Sequence, residues 1–128
     1  LWQGQFDRAL VDAPCSGLGT LRRNPEIKWR LQAHDLKSLS GLQKQLLHSA
    51  AACLKRGGTL VYSVCTVMTE ENEIVIDHFL KHHRDFNPAP PPESIDRALI
   101  DKRGFFRTNT ASHGTDGFFG AVMVKKLS

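Results

Sequence analysis

Two cysteines and an aspartate are the residues of this chain best placed for chemistry, each set at the end of an apolar run. Asp12-Ala13-Pro14-Cys15-Ser16-Gly17 follows the apolar residues 6–11, and Tyr62-Ser63-Val64-Cys65-Thr66 closes a second run that starts at Thr59. The thiolate is the nucleophilic form of cysteine, so a site built on one needs a neighbour that tunes its pKa or takes its proton. In open α/β sheets ligands sit at the carboxyl ends of the strands. Read as buried parallel strands, the two runs turn Cys15, Cys65 and Asp12 toward one crevice. A single cysteine is commonly a small buried hydrophobe, but two in matching strand-end positions read as a reactive pair. Cys53 falls on the apolar face of a predicted helix and reads as core.

The elements that must position this pair alternate. Residues 6–11 read as a short strand buried on both faces, followed by a loop at Pro14 and Gly17. Leu36, Leu39, Leu42, Leu46, Leu47, Ala50, Cys53 and Leu54 recur at helical steps, with Asp35 able to cap the start and Gly57 and Gly58 to stop the helix. Residues 59–64 form the next strand. Thr69 is the expected N-cap of a second helix, with Glu70, Glu71 and Glu73 in its first turn and Ile74, Val75, Phe79 and Leu80 on its buried face, ending near His83. The proline-rich stretch 87–92 cannot continue it. Residues 93–115 read as a polar, loop-rich connection and 117–124 as a final strand. Strand, helix, strand, helix and a returning strand make half of a doubly wound α/β sheet.

With 128 residues, 41% of them hydrophobic, the chain builds one core and one domain, residues 1–128. Three cysteines form no even set, and the six histidines, including His82 and His83, stand at no ligand spacing to them, which argues against structural zinc. No leader is expected and no long apolar span stands in these residues, so a reducing cytoplasm and no membrane partner are expected. A net charge of +4 and a pI near 9.2 are compatible with a polyanionic partner. Arg22, Arg23, Lys28 and Arg30 crowd the loop after Asp12, with Trp29 among them. Cations neutralise phosphates and an indole stacks on an unpaired base, although a solvated loop with Trp29 tucked into the core fits the same letters. Residues 16–20 lack the lysine of a phosphate loop. Their glycines suit a close approach by substrate or an ordinary turn. Asp116 reads as a turn former.

Together, D-A-P-C-S-G, the basic R-R-N-P-E-I-K-W of residues 22–29, S-V-C-T and the T-D-G-F-F of residues 115–119 resemble the Nop/Sun family of RNA cytosine-C5 methyltransferases, and are most similar to its bacterial RsmB (Sun) group. The resemblance spans residues 6–126. It implies the C-terminal half of a Rossmann-like class I methyltransferase sheet, mostly parallel with an antiparallel last strand, in which the strands carrying Asp12 and Cys65 are neighbours and the Phe118 strand runs beside the latter. It also implies S-adenosylmethionine as cofactor, with Asp12 among its contacts, and RNA, 16S ribosomal RNA in this group, as substrate.

In that chemistry Cys65 resembles the nucleophile that adds to cytosine C6. Cys15 resembles the second thiol, assisting proton removal and release, and Asp12 the carboxylate that hydrogen-bonds the base. DNA cytosine methyltransferases use the proline-cysteine thiol for attack and a Glu-Asn pair for the base; here Glu71-Asn72 falls in a predicted helix, which favours the RNA assignment. The family's glycine-rich cofactor segment is expected ahead of this chain, so the chain by itself is expected to be inactive, with an unpaired first-strand edge that favours self-association. Asn109-Thr110 stands where the family commonly has a proline. The competing function is a non-catalytic RNA-binding module, which would need neither thiol.

Overall fold

The computed structural model describes residues 2–128. Its elements are β1 (Phe6–Asp12), α1 (Ile27–Arg30), α2 (Ala33–Cys53), β2 (Leu54–Val64), α3 (Glu73–His82), β3 (Phe86–Ala89), β4 (Phe106–Thr108), α4 (Thr110–His113) and β5 (Phe118–Lys125), with 3-10 turns at Leu18–Thr20, Thr69–Glu71 and Arg97–Leu99. The five strands form one sheet in the order β1-β2-β5-β3, with β4 also on β5. β1 and β2 pair in parallel, and β5 is antiparallel to β2, β3 and β4, so only β5 runs against the rest. This is the mixed α/β sheet with an antiparallel last strand that the sequence led us to expect.

One face of the sheet carries the core. Leu60, Tyr62 and Val64 of β2 alternate inward, as period-two strands do, and meet Phe119, Ala121 and Met123 of β5 under Leu47 and Ala51 of α2 and Val75, Ile76 and Phe79 of α3. Tyr62 and Phe119 meet edge to face at 6.3 Å, and Phe105 reaches Phe119 at 5.1 Å. Val61, Ser63, Gly120 and Val122 point to the other face, where Pro91, Pro92, Ile95 and Phe106 cover a shallow apolar groove. β1 departs from expectation: Leu10 is 68% and Phe6 42% exposed, because β1 ends the sheet and turns Val11 and, in part, Ala9 to the core.

Four local readings change. α2 starts at Ala33 with Gln32 as N-cap, and Asp35 closes a reciprocal capping box from the third helical position. Cys53 ends the helix directly into β2, and Lys125 Nζ donates to the carbonyls of Ala51 and Leu54 to satisfy that end. Gly57 and Gly58 therefore stop no helix. Phe6 pairs with Leu54 and Arg8 with Thr59, so residues 55–58 bulge out of the ladder, with Gly57 at φ +81°. Thr69 opens a 3-10 turn, and α3 begins only at Glu73 with Asn72 before it. Two short strands, β3 and β4, occupy stretches read as connector. Among the described residues no helix is long and apolar enough to cross a membrane.

Candidate active site

The parallel register sets Asp12 beside Ser63, so the turns leaving β1 and β2 start level. Ala13 N donates to Ser63 O at 3.0 Å and extends the ladder one residue past the strand. Three residues after Asp12 and two after Ser63, the sulfurs of Cys15 and Cys65 stand 3.2 Å apart, both partly buried. No disulfide joins them. Burial, reinforced by the contact with Cys65, pushes the Cys15 thiol up to about 12. Cys15 therefore keeps its proton at neutral pH, within hydrogen-bond distance of Cys65 Sγ. Asp12 is exposed, and its Oδ1 accepts from Ser63 Oγ at 3.0 Å. Cys53 lies at the end of α2 with its thiol on Ser49 O, away from the pair.

Backbone contacts lock the two turns together. Gly19 N donates to Cys65 O at 3.1 Å, and Gly117 N donates to Gly19 O at 2.6 Å. A Cβ on Gly19 would lie 1.9 Å from Gly117 O and 2.9 Å from Cys65 O, so this glycine exists for contact between three chain segments and not for an approaching substrate. Gly17 sits at φ +75°, where a turn needs the left-handed region.

Beneath the thiols lies a carboxylate that the sequence did not single out for the site. Glu71, fully buried, accepts from Ser16 N at 2.7 Å, Ser16 Oγ at 2.6 Å, Thr66 Oγ1 at 2.6 Å and Gln43 Nε2 at 3.3 Å. The second amide hydrogen of Gln43 goes to Pro14 O at 2.9 Å. The buried stripe of α2 runs through Ser40, Gln43, Leu47 and Ala51, whereas Leu42 is 40% exposed, so the helix turns polar residues inward at its site end. The available signal was a hydroxyl residue directly after each cysteine, Ser16 and Thr66. Glu71-Asn72 precedes α3 and is buried, with Asn72 Nδ2 donating to Thr66 O at 3.3 Å.

The basic loop divides in two. Arg22 Nε donates to Asp116 Oδ1 at 2.9 Å and Arg23 Nε to Oδ2 at 2.6 Å, while Arg22 Nη1 also reaches Gly114 O. These guanidinium groups hold the Asp116 carboxyl below the usual carboxylate range. Asp116 is thus an anchor for the loop and more than a turn former. Arg23 is also near enough to Cys65 to interact with it electrostatically. Lys28, Trp29 and Arg30 stay in solvent: Trp29 is 79% exposed, with Lys28 Nζ 4.9 Å from its ring centre. Asn109 caps α4 by accepting from Ser112 N at 2.7 Å, which sets the course of the segment where a proline was expected. Among the described residues no group of three or more His, Cys, Asp or Glu is placed to hold a metal ion.

Comparison with known proteins agrees in kind. The family described as 16S rRNA methyltransferase RsmB/F matches residues 1–124. Ribosomal RNA small subunit methyltransferase B of Thermus thermophilus is 43% identical over 122 residues, covering 91% of this chain and 28% of that protein. The protein of the same name from Pasteurella multocida is 40% identical over 124 residues, covering 97% and 27%. The crystal structure of NSun6 from Pyrococcus horikoshii with SFG superposes with a TM-score of 0.76 at 28% identity, over 93% of this chain and 29% of that one. The chain spans just over a quarter of the length of the curated relatives it matches.

Proposed function

This chain belongs to the RsmB/F family of 16S rRNA methyltransferases, and from that premise we propose that it carries the thiol half of an S-adenosylmethionine-dependent RNA cytosine-C5 methyltransferase acting on small-subunit ribosomal RNA. The observation that carries the reading is the sulfur pair, 3.2 Å apart at the carboxyl ends of two neighbouring parallel strands.

Cytosine C5 is a weak nucleophile. With its proton released to solvent, the Cys65 sulfur adds to C6, forms an S–C6 bond and pushes the C5=C6 electron pair onto C5, splitting one hard step into easier ones. Asp12, held by Ser63, hydrogen-bonds the base edge and favours this shift of electrons. S-adenosylmethionine, when bound, supplies the methyl group as an electrophile. Asp12 fits a place beside it, because a fixed, exposed carboxylate at a strand end can accept from an ammonium or a hydroxyl. Cys15 then takes the C5 proton while passing its own to the departing Cys65 sulfur 3.2 Å away, so that both thiols end protonated. The S–C6 bond breaks, its electrons return to Cys65, and C5=C6 reforms.

Cys15 is the proton holder, its thiol pushed up to about 12 by burial and by the contact with Cys65. Cys65 Sγ stands 3.2 Å from it, ready to exchange that proton. Exposed Trp29 offers a stacking face for an unpaired base, with Lys28 and Arg30 as phosphate partners. The names of the relatives and the neighbour's SFG ligand support the RNA and the cofactor assignments.

The test is a pair of variants in the intact protein. Cys65→Ala is expected to abolish methylation. Cys15→Ala is expected to accumulate a covalent RNA adduct on a denaturing gel, because attack survives while release fails. An adduct with Cys65→Ala, or none with Cys15→Ala, would reverse or remove these roles.

A further inference from the structure

We infer that Glu71 is a positioning residue for the thiol pair, a single buried carboxylate that clamps both cysteine-bearing turns and sets the distance between their sulfurs. The inference rests on the thiol chemistry proposed above and concerns how its geometry is held.

Glu71 has no exposed surface, and none of its hydrogen-bond partners is a cation. A carboxylate buried without a counter-charge is costly to keep, and an apolar side chain of similar size would fill the space at less cost. What it holds explains its presence. Its donors are the backbone and hydroxyl of Ser16, one residue past Cys15, and the hydroxyl of Thr66, one residue past Cys65. Gln43 adds the other flank, joining the carboxylate to Pro14 O just before Cys15. Gln43 Oε1 is left buried with no partner, so its amide is oriented for these two donations at the expense of its own acceptor.

The clamp is itself fixed to β2. Tyr62 Oη donates to Glu71 O at 2.7 Å, and burial beside Glu71 pushes the Tyr62 phenol well above its ordinary value, so it remains a donor. Cys65 therefore lies between two points tied to one residue: Tyr62 through the Glu71 backbone and Thr66 through its side chain. Without the carboxylate, the side chains of residues 16 and 66 join the two turns only through their mutual hydroxyl contact at 3.1 Å, beside the backbone bond from Gly19 N to Cys65 O.

The accounting also says which substitutions preserve the clamp. In Glu71→Gln the amide oxygen can accept from Ser16 N and Gln43 Nε2, while its NH₂ donates to the two hydroxyl oxygens, which then turn their own hydrogens away. Glu71→Ala removes every side-chain tie and leaves only that of Tyr62 Oη to the backbone oxygen.

The experiment uses the intact protein and two readouts. Phenylarsine oxide condenses with two adjacent thiols, forming two As–S bonds and releasing one water, so its affinity reports sulfur spacing without any catalysis. Glu71→Ala is expected to weaken arsenical binding at least about tenfold through lost preorganisation. Its kcat is expected to fall about 100-fold, the effect of misplacing a reacting group by about 1 Å, with KM for RNA nearly unchanged. Glu71→Gln is expected to restore kcat to within about tenfold of the parent, since it keeps the hydrogen-bond count.

If Glu71→Ala melts below the assay temperature, the Ser16→Ala/Thr66→Val double variant, which removes both hydroxyl donors, takes its place with the same two losses expected. A folded variant of either kind with parental arsenical affinity and parental kcat would overturn the clamp. Methylation surviving in Cys65→Ala would instead overturn the reading of the reaction, and the arsenical series would still report on Glu71.

Discussion

Two carboxylates tie down the loop that leaves β1, and they do so by opposite means. Glu71 is buried among neutral donors beside Cys15. Asp116 takes the guanidinium groups of Arg22 and Arg23 further along the loop, where those side chains are 45% and 60% exposed. The difference follows the sulfurs. Neutral donors fix the turn around Cys15 without adding a cation that would ease its ionisation, while the ion pair brings Arg23 toward Cys65. One anchor supplies geometry; the other supplies geometry and charge.

The largest effect is expected where both anchors depend on the same backbone. Gly19 lies between Ser16 and Arg22, and its missing Cβ is the space that Gly117 O fills. Gly19→Ala is expected to cost at least about 3 kcal/mol in urea unfolding, as a backbone clash cannot be relieved by rotamer changes. A loss under about 1 kcal/mol, closer to that of an ordinary surface change, would show that the two anchors are independent.

Next comes Tyr62→Phe, which leaves Glu71 O buried without its donor and tests the neutral anchor alone. About 1–3 kcal/mol is the expected loss, with arsenical binding weakened in parallel. Unchanged stability would mean that Glu71 is fixed by its side chain only.

The pH dependence separates the anchors further. Asp116 is depressed, so its contribution is complete above the ordinary carboxylate value of 3.8 and is lost as pH falls through the lower folded value. Acid melts of Asp116→Asn are expected to be flatter than the parent's over that window. The same substitution frees two guanidinium groups and is expected to steepen the salt dependence of RNA binding by about one to two units of slope. Cys15 has the opposite sign. Its folded value is raised from 9.0 to about 12, so the unfolded chain ionises first and stability falls as pH rises through that interval. Thiolate absorbance at 240 nm is expected to show one thiol that titrates near 12 and disappears in Cys15→Ala.

The smallest effect on stability lies beyond both anchors. Trp29→Ala is expected to change stability by less than about 0.5 kcal/mol while weakening single-stranded RNA binding by about 1–3 kcal/mol if one base stacks on the indole. Filter binding against a melting curve measures both.

Local patterns carried much of this into view. The strand ends at Asp12 and Cys65 were legible because apolar runs stop there, and α3 was legible from Val75 and Phe79, although Ile74, read on its buried face, is 47% exposed and Ile76 is buried instead. The order of the strands came only through family resemblance. Glu71 was hidden among Glu70 and Glu73: three acids near one helix start look alike until tertiary contacts turn one of them inward. Gly57 and Gly58 misled because a glycine pair after a helical repeat resembles a stop, whereas Lys125, distant in sequence, caps that helix. β3 carries Pro88, a residue that argues against a strand except at an edge, which is where β3 lies.

The position of β5 bears on how the molecule is made. Among the described residues β3 and β4 pair with β5, and β2 reaches them only through it. During synthesis from the amino end, β1, α2 and β2 can associate early, but β3 and β4 must wait as open strands until residues 118–125 leave the ribosome. Phe119, Ala121 and Met123 complete the core at the same moment. Sheet closure is therefore a late event with long sequence separation, a topology that folds slowly and leaves nascent chains dependent on protection from aggregation.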